Sequence, residues 1–399
     1  MHVGTGTELT GSIARINRLR AIERELVYTL SQLIIETPEY ATKIHCGVAL
    51  HQHARAVDAW NRRLAELGEQ PAESARAVER PSTELLTYRR LRAYLDDGLG
   101  VLSRLLQAYP ESGMTIADQP SVLLAGRRLS EIREMETTIL SVIEATSASR
   151  VEGVSGIWSD RVYQPPRRPA RDPVFACDRQ PINPFDEALP VREAAAQFMH
   201  MNLTDLELTT IELCSLFILK GPDLPWDFTC DMARQIWDET RHARMFHDRL
   251  LELGSAPGIR PTSMTHWDIS SGQPLPVAMT CHQLIGEWSG VDAAIYLGDY
   301  FRERGDDRTA AIFDFVARDE ITHVGFGNKW VAWLAPNDAD RDEVRARAEA
   351  AREAHGKPAT GPLNFPLNRW ACELSRYPER YIRKLEANYE CYGSRQGRR

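Results

Sequence analysis

Apolar residues recur along most of this chain at helical spacing, and few stretches alternate in the manner of strands. The pattern predicts two sets of four helices, then a charged, Ala-rich helix and a last helix near the end. In chain order the predicted helices cover residues 8–35, 39–67, 82–108, 119–147, 192–220, 225–253, 276–304, 307–334, 338–356 and 368–390. We therefore expect an all-α fold.

The segment between the two sets breaks the helical pattern. Residues 148–190 are rich in Pro, Arg and Asp, and the prolines exclude a helix there. We interpret the segment as a linker or an extended strap between two four-helix bundles. The expected domains are a first bundle at 1–147, a linker at 148–191, a second bundle at 192–335 and a C-terminal helical extension with a tail at 336–399.

The two sets show signs of an internal repeat. Arg241–Gly254 (RHARMFHDRLLELG) aligns with Arg55–Gly68 (RAVDAWNRRLAELG), and six of the fourteen positions are identical. Many amphipathic helices end in a similar sequence, which is the alternative explanation. Because nearly the same offset aligns the other helices of both sets, we favour a tandem duplication.

Two helices of the second set carry the same motif, D-E-x-x-H. It occurs as Asp238–His242 (DETRH) and as Asp319–His323 (DEITH). In each motif the Glu and the His lie three positions apart, so both face the same side of the helix. One such motif arises often by chance, whereas two at bundle spacing indicate a metal site. The ligands predicted from the motifs are Glu239, His242, Glu320 and His323.

The other two helices of this set should each contribute one more carboxylate. The candidates are Glu212 and Glu287. Ligands at one level of an antiparallel helix pair require a turn midway between them. The breaks at 220–227 and 302–308 lie near the midpoints between these glutamates and the two motifs, which favours both assignments.

Glu207 competes with Glu212 for the position on the first of these helices. The two are five residues apart, so they point about 140° apart and cannot face one site together. Glu212 shares a stripe with leucines, and a carboxylate in an apolar stripe needs a partner. We therefore favour Glu212. Similar reasoning disfavours Asp292 as a ligand beside Glu287.

Four carboxylates and two imidazoles would form a site with four negative charges, which two divalent cations neutralise. The ligand set suits iron or manganese, and the absence of Cys ligands argues against a soft metal. Metal-bound histidines usually donate their second N–H to a carboxylate. We therefore assign Asp238 and Asp319 each to the histidine of the opposite helix, with Arg241 bridging to one of them. The plain alternative is a set of surface Glu–His pairs with unrelated glutamates and solvated aspartates.

Composition narrows the functional classes. The chain has 399 residues, of which 43% are apolar and 26% charged, as is typical of globular proteins. Its net charge of −8 provides no field that attracts nucleic acid. No apolar run approaches the roughly 18–20 residues of a membrane span, and no signal-peptide core is present. The seven cysteines never form CxxC. We expect a cytoplasmic protein without a membrane or nucleic-acid partner.

The predicted ligands resemble the pattern of the ferritin-like superfamily of dinuclear carboxylate proteins, which runs Glu, ExxH, Glu, ExxH. The pattern matches at Glu212, Glu239, His242, Glu287, Glu320 and His323. Asp238–His242 also resembles the D-E-x-R-H element of bacterial multicomponent monooxygenases. Four phrases resemble a poorly characterised ferritin-like branch: ELTTIEL (207–213), GEWSGVDA (286–293), RDEITHVGFGNKWVAWL (318–334) and GPLNFPLNRWA (361–371). The resemblance covers roughly residues 192–375 and implies the fold and the metal class.

The first half departs from this pattern. Some carboxylates remain under the repeat alignment, but both ligand histidines are gone. In the order of the six ligands above, the corresponding residues are Glu25, His53, Ala56, Asp97, Glu131 and Glu134. We therefore expect a degenerate bundle without a complete metal site, packed on the second as a partner subunit would be.

The resemblance implies a non-haem di-iron oxidase or oxygenase that uses O2 to oxidise a small organic substrate. The implied reactions are hydroxylation, N-oxygenation, desaturation and deformylation. Glu212, Glu239, Glu287 and Glu320 would then lie at the reacting centre with two Fe ions, or with Mn. The alternatives are a metal-handling protein, acting as a ferroxidase or against peroxide, and a non-catalytic scaffold.

The electron source is expected to lie outside the chain. No Gly-rich phosphate loop follows a strand and no Cys cluster exists, so a separate reductase or an electron-donating substrate is implied. The expected assembly is a monomer or a homodimer. Expected pocket residues are Leu216, Ile285, Val291, Ile312, Phe315 and Phe326, and the aromatic residues that could relay electrons are Trp237, Trp288 and Tyr296.

Overall fold

The structure is a computed structural model, and it describes residues 7–71, 84–111, 115–159, 162–176, 189–357 and 367–396. Helices dominate these residues and the only strands among them form one short hairpin, so the predicted all-α fold is confirmed. The middle of the predicted linker (177–188) and the start of the phrase at 361–371 lie outside the described residues. No described helix combines the length and the apolar character that a membrane crossing requires.

The helices begin and end within a few residues of the positions that periodicity predicts. In chain order they are α1 (Thr7–Glu36), α2 (Tyr40–Glu66), α3 (Thr87–Ala93), α4 (Gly100–Ala108), α5 (Gln119–Thr146), α6 (Val191–Met201), α7 (Leu208–Lys220), α8 (Trp226–Glu252), α9 (Thr265–Ser270), α10 (Leu275–Met279), α11 (Trp288–Glu303), α12 (Asp307–Leu334), α13 (Asp338–Ala354), α14 (Arg369–Leu374) and α15 (Glu379–Gln396). A short 3-10 helix follows α4 at Tyr109–Glu111.

Three of the predicted helices contain a π-helical turn that periodicity did not reveal. Tyr94–Leu99 joins α3 to α4, Asn202–Glu207 joins α6 to α7, and Thr280–Glu287 joins α10 to α11. Such turns insert an extra residue into a helix and are frequent at functional sites. Two of these turns end at a glutamate. The extra residue in the turn places that glutamate on a helix face that counting at 3.6 residues per turn does not predict.

The predicted strap forms a hairpin of β1 (Ile157–Ser159) and β2 (Val162–Gln164). Residues of the strap donate hydrogen bonds to the backbone and the side chain of Glu36, the last residue of α1. The amide of Val154 donates to the Glu36 carbonyl, and the hydroxyl of Tyr163 donates to the Glu36 carboxylate at 2.8 Å. The helix end is therefore capped by distant residues. The last predicted helix, 368–390, is instead two helices, α14 and α15.

Contacts divide the chain into two compact units. The first comprises Met1–Pro173 with Cys214–Thr240, and the second comprises Val174–Leu213 with Arg241–Arg399. The boundaries fall inside α7 and inside α8. The predicted two-bundle arrangement and its domain limits stay predictions.

Candidate metal centre

Six buried polar side chains of the second set of helices carry the candidate site. Glu207 and Glu287 each end a π-helical turn, Glu239 precedes His242 by three residues on α8, and Glu320 precedes His323 by three residues on α12. Their exposed fractions are 4% for Glu207, 1% for Glu239, 7% for Glu287, 5% for Glu320 and 0% for both histidines. Carboxylates at this depth need a cation or hydrogen-bond donors.

These side chains form two groups that share two members. One ligand atom from each of Glu207, Glu239, His242 and Glu320 lies within 4.8 Å of the others. The same holds for Glu239, Glu287, Glu320 and His323. Each group therefore contains one histidine and one glutamate of its own, together with the shared pair Glu239 and Glu320. Each group has the donor types of a site that could hold a metal ion.

The structure places Glu207, and not the favoured Glu212, in one of the two ligand groups, and the assignment of Glu212 as a ligand stays a prediction. The Glu207 carboxylate lies 3.7 Å from Nδ1 of His242. Every residue of α7 except Lys220 is buried, so the apolar stripe around Glu212 did not mark an inward face. The position of the turn could not distinguish the two glutamates, because replacing Glu212 by Glu207 moves the expected midpoint by only two or three residues. Glu212 is fully buried, outside both groups.

The contacts predicted for Asp319 are present. Nε2 of His242 lies 3.1 Å from Asp319, and the Arg241 guanidinium donates to the same carboxylate at 2.8 Å. With its Nε2 hydrogen donated to Asp319, His242 turns Nδ1 toward Glu207 and Glu320, at 3.7 and 3.8 Å. Asp319 therefore fixes the tautomer that exposes a lone pair to the cluster.

Asp238, the other predicted partner, is fully buried and accepts a hydrogen bond from Nε of Arg234 at 2.8 Å. Arg234 also packs over the ring of Trp237, 5.0 Å from its centroid. The predicted pairing of Asp238 with the opposite histidine stays a prediction.

His282 lies beside the cluster and was not predicted from the sequence. It belongs to the π-helical turn that ends at Glu287, and its Nε2 lies 2.8 Å from that carboxylate. Five residues separate the two, which is the hydrogen-bonding period of a π-helix but not of an α-helix. Only knowledge of the π-helical turn could have indicated this pair.

A cavity of about 150 Å³ opens beside the cluster. Glu207, Glu287 and Glu320 form part of its wall, and most of the remainder is apolar. Its other lining residues are Phe198, Met201, Asn202, Leu206, Thr210, His266, His282, Gly286, Gly290, Ala293, Ala294, Leu297, Phe313 and Val316. Gly and Ala along one face of α11 leave this space open.

None of the six residues predicted to line a pocket lies in this wall. Phe315 is 66% exposed, whereas Phe313 and Val316 of the same helix face the cavity. On α11 the wall is formed by Gly290, Ala293, Ala294 and Leu297, and not by Val291. The π-helical turns shift the helix faces by an amount that sequence spacing alone does not reveal.

Asp292 lies outside both groups, as the spacing argument expected. Its Oδ1 accepts hydrogen bonds from the backbone and side-chain amides of Asn368, at 3.0 and 2.8 Å. Burial raises the pKa of Asp292 to about 7, although the Asn368 donors oppose this shift. Asp292 therefore anchors the segment before α14.

The first unit has a buried polar cluster of another kind. Glu23 pairs with Arg128 at 2.7 Å and with Nδ1 of His53, and all three side chains are at most 2% exposed. Nε2 of His53 lies 2.7 Å from the Tyr94 hydroxyl. Burial lowers the pKa of His53, whereas Arg128 and His53 hold the pKa of Glu23 below its usual value. One carboxylate, one guanidinium and a neutral imidazole make this cluster self-neutralising.

Three of the six residues that the repeat alignment proposed for the first unit are exposed. Asp97 and Glu134 are exposed, the Glu131 side chain is 52% exposed, and Glu25 is half-buried. Only His53 belongs to the buried cluster. The described residues of this unit contain no group of metal-ligand geometry.

The proposed relay residues have ordinary packing contacts. Trp237 stacks on His51 with ring centroids 5.2 Å apart, Trp288 packs on Tyr377 at 5.5 Å, and Tyr296 stacks on Tyr300 at 6.3 Å. Their part in electron transfer stays a prediction. The cysteines whose side chains the structure describes are free thiols: Cys46, Cys214, Cys230, Cys281 and Cys372.

Comparison with known proteins gives one family match. A family model described as "Protein of unknown function (DUF455)" matches residues 132–376, which include all six cluster residues. No curated protein and no solved structure matches the chain.

Proposed function

The chain belongs to the DUF455 family, and we propose that it is an O2-dependent oxidoreductase with a dinuclear metal centre at the Glu/His cluster. One observation carries the proposal: four buried carboxylates and two buried histidines form two ligand groups that share Glu239 and Glu320. Four negative charges in one buried place would be prohibitively costly without cations. The resemblance to ferritin-like dinuclear proteins supports the same assignment.

The division of the ligands follows from the two groups. Glu207 and His242 would bind one ion, Glu287 and His323 the other, and Glu239 and Glu320 would bridge both. Oxygen and imidazole donors without thiolate favour iron, with manganese as the alternative. When bound, a reduced di-iron pair would supply the electrons for O2 reduction, and the residues of the chain would hold the ions and shape the space for the substrate.

The cavity supports an organic substrate rather than metal storage. Its wall is mainly apolar, and it contains three of the glutamates. At about 150 Å³ it has the size of an apolar cavity that accommodates benzene. Phe198, Leu297 and Phe313 would exclude water from a molecule bound there. A metal-handling protein would instead need a polar path for ions.

The electrons must come from a separate reductase or from the substrate itself. The cluster lies among helices whose sequence has no dinucleotide fingerprint and no Cys cluster. We therefore propose that either a separate reductase or an electron-donating substrate acts with this chain.

The decisive experiment measures iron and manganese in the purified protein, with optical spectra before and after the ferrous form meets O2. We expect about two metal ions per chain, and His242→Ala and His323→Ala should lose them. His247→Ala, on α8 outside both groups, and Glu134→Ala, at an exposed position, are the matched controls. Both controls should keep wild-type metal content.

The outcomes separate the alternatives. Full metal retention in both cluster variants would contradict the assignment. A metal-free wild-type protein that also fails to take up added Fe(II) or Mn(II) would favour a scaffold. Rapid Fe(II) oxidation with release or storage of ferric iron would favour metal handling.

A further inference from the structure

A second cavity, of about 260 Å³, lies in the C-terminal part of the second unit. It is separate from the cluster cavity, and the two share no lining residue. Helices α12, α13 and α15, the π-helical turn before Glu287 and the residues after α14 surround it. The lining residues are Thr280, Leu284, Asn328, Val331, Ala332, Asp338, Arg341, Arg345, Arg376, Pro378, Arg380 and Tyr381.

Four arginines and one aspartate face this cavity, although the chain as a whole carries a net charge of −8. Asp338 is shared between Arg341 and Arg380, with 2.7 Å to Arg380. Arg345 is buried and donates to Tyr377 at 2.7 Å and to Glu349 at 2.9 Å. Arg380 also pairs with Asp342 at 3.1 Å, so Arg341, Arg345 and Arg380 each have an acidic partner among the described residues. The positive charge left in excess at the cavity is therefore that of Arg376.

Arg376 makes no side-chain hydrogen bond or ion pair with the described residues. Its φ is +56°, and it is the only non-glycine residue with positive φ in the described chain. It follows the end of α14, where the amide of Tyr377 donates to the carbonyl of Cys372 and that of Arg376 to Glu373. This is a helix-ending motif that normally places glycine at the left-handed position.

The left-handed conformation is less favourable for arginine than for glycine. No hydrogen bond or ion pair of the Arg376 side chain with the described residues offsets this cost in free energy. What the position does provide is a guanidinium at the mouth of a cavity. Such guanidinium groups bind carboxylates and phosphates through two parallel hydrogen bonds. Arg376 is exposed, and its guanidinium is therefore open to an anion supplied from outside the chain.

The rest of the wall indicates that this anion has an apolar part. Leu284, Val331, Ala332 and Pro378 contribute apolar surface, and the Tyr381 ring lies under the guanidinium groups of Arg345 and Arg380, at 5.1 and 4.8 Å. The cavity is also several times larger than the space of one water molecule or one phosphate.

We propose that this cavity binds a small organic anion, with its carboxylate or phosphate on Arg376 and its apolar part between Leu284, Val331 and Pro378. The inference does not depend on the metal centre, because none of these residues belongs to either ligand group.

Arg376→Gly tests the proposal without endangering the fold. Glycine is favoured at positive φ, so the variant should be at least as stable as the wild type while losing the guanidinium. Binding of hexanoate and of hexyl phosphate is measured by calorimetry on the full-length protein. We expect both to bind the wild type, and Arg376→Gly to weaken binding at least tenfold. Arg376→Lys should restore part of it.

Arg347→Ala is the control for net charge, since Arg347 is an exposed residue of α13 outside the cavity. It should bind both probes like the wild type. Binding of only one probe would identify the anionic group as carboxylate or phosphate. Hexan-1-ol binding as tightly as hexanoate would overturn the role of charge, and inorganic phosphate binding as tightly as hexyl phosphate would overturn the apolar part. Failure of both organic probes to bind, or equal binding by Arg376→Gly, would overturn the proposal.

Discussion

The first and second sets of helices each contain a buried cluster of ionisable side chains, and the two clusters differ in the charges that they bring together. In the first set Arg128 supplies the cation, and Glu23 is bound by it through both carboxylate oxygens at 2.7 and 2.9 Å. In the second set, four glutamates lie close to two histidines, and Arg241, which precedes His242 in the sequence, is bound to Asp319. The first cluster contains its own cation, whereas neither ligand group of the second contains Lys or Arg.

The two sets of helices can be compared because one helix of each set, α2 and α8, ends in the same way. Helices α2 and α8 both end before a glycine of positive φ, Gly68 at 77° and Gly254 at 73°. In both, the amide after this glycine donates to a leucine carbonyl five residues back, that of Leu64 or Leu250. Such similar endings support the proposed duplication.

The largest expected effect concerns the self-neutralised cluster. Arg128→Ala leaves the Glu23 carboxylate buried without its cation, which should lower the free energy of unfolding by about 3–5 kcal/mol. Urea unfolding measures this. Arg127→Ala, at an exposed neighbouring position, should change stability by less than about 0.5 kcal/mol.

The double variant Glu23→Gln with Arg128→Met removes both charges. It should recover most of the stability lost in Arg128→Ala, because no unpaired charge remains. Equal losses in the single and the double variant would show that packing, rather than charge, is what Arg128 provides.

The next largest effect separates Glu207 from Glu212 in the second unit. Glu207→Gln should weaken metal binding by at least about tenfold, because it removes a charge from a ligand group. Glu212→Gln is the matched control on the same stretch of helix and should keep wild-type metal content. Metal titrations of the apoprotein measure both, and the reverse ranking would reinstate Glu212 as the ligand.

The smallest effect concerns the open space beside the second cluster. A Cβ at Gly290 meets no atom within 4 Å, so Gly290→Leu should project into the cavity without displacing the backbone. We expect it to abolish xenon binding, followed by NMR, while metal content stays unchanged. Gly126→Leu, at an equally open glycine of α5 in the first unit, should leave xenon binding intact. Undiminished xenon binding in Gly290→Leu would contradict the assigned cavity.

The sequence by itself determined the helical class, nearly all helix limits and the two D-E-x-x-H motifs. These depend on periodicity and on residues three positions apart, which are local properties of an α-helix. For the same reason it indicated His242 with Asp319, since both belong to these motifs.

Only the tertiary structure decided which glutamate of the first helix joins the cluster and which residues line the cavities. On a helix that is buried on all sides, the hydrophobic pattern does not identify the face that points to the cluster. The π-helical turns also rotate the residues after the turn relative to those before it, so helical spacing across a turn assigns residues to the wrong face. The pairing of Glu23 with Arg128 joins residues 105 positions apart, and the left-handed conformation of Arg376 runs against local preference. Both depend on how distant segments pack, which spacing along the chain does not specify.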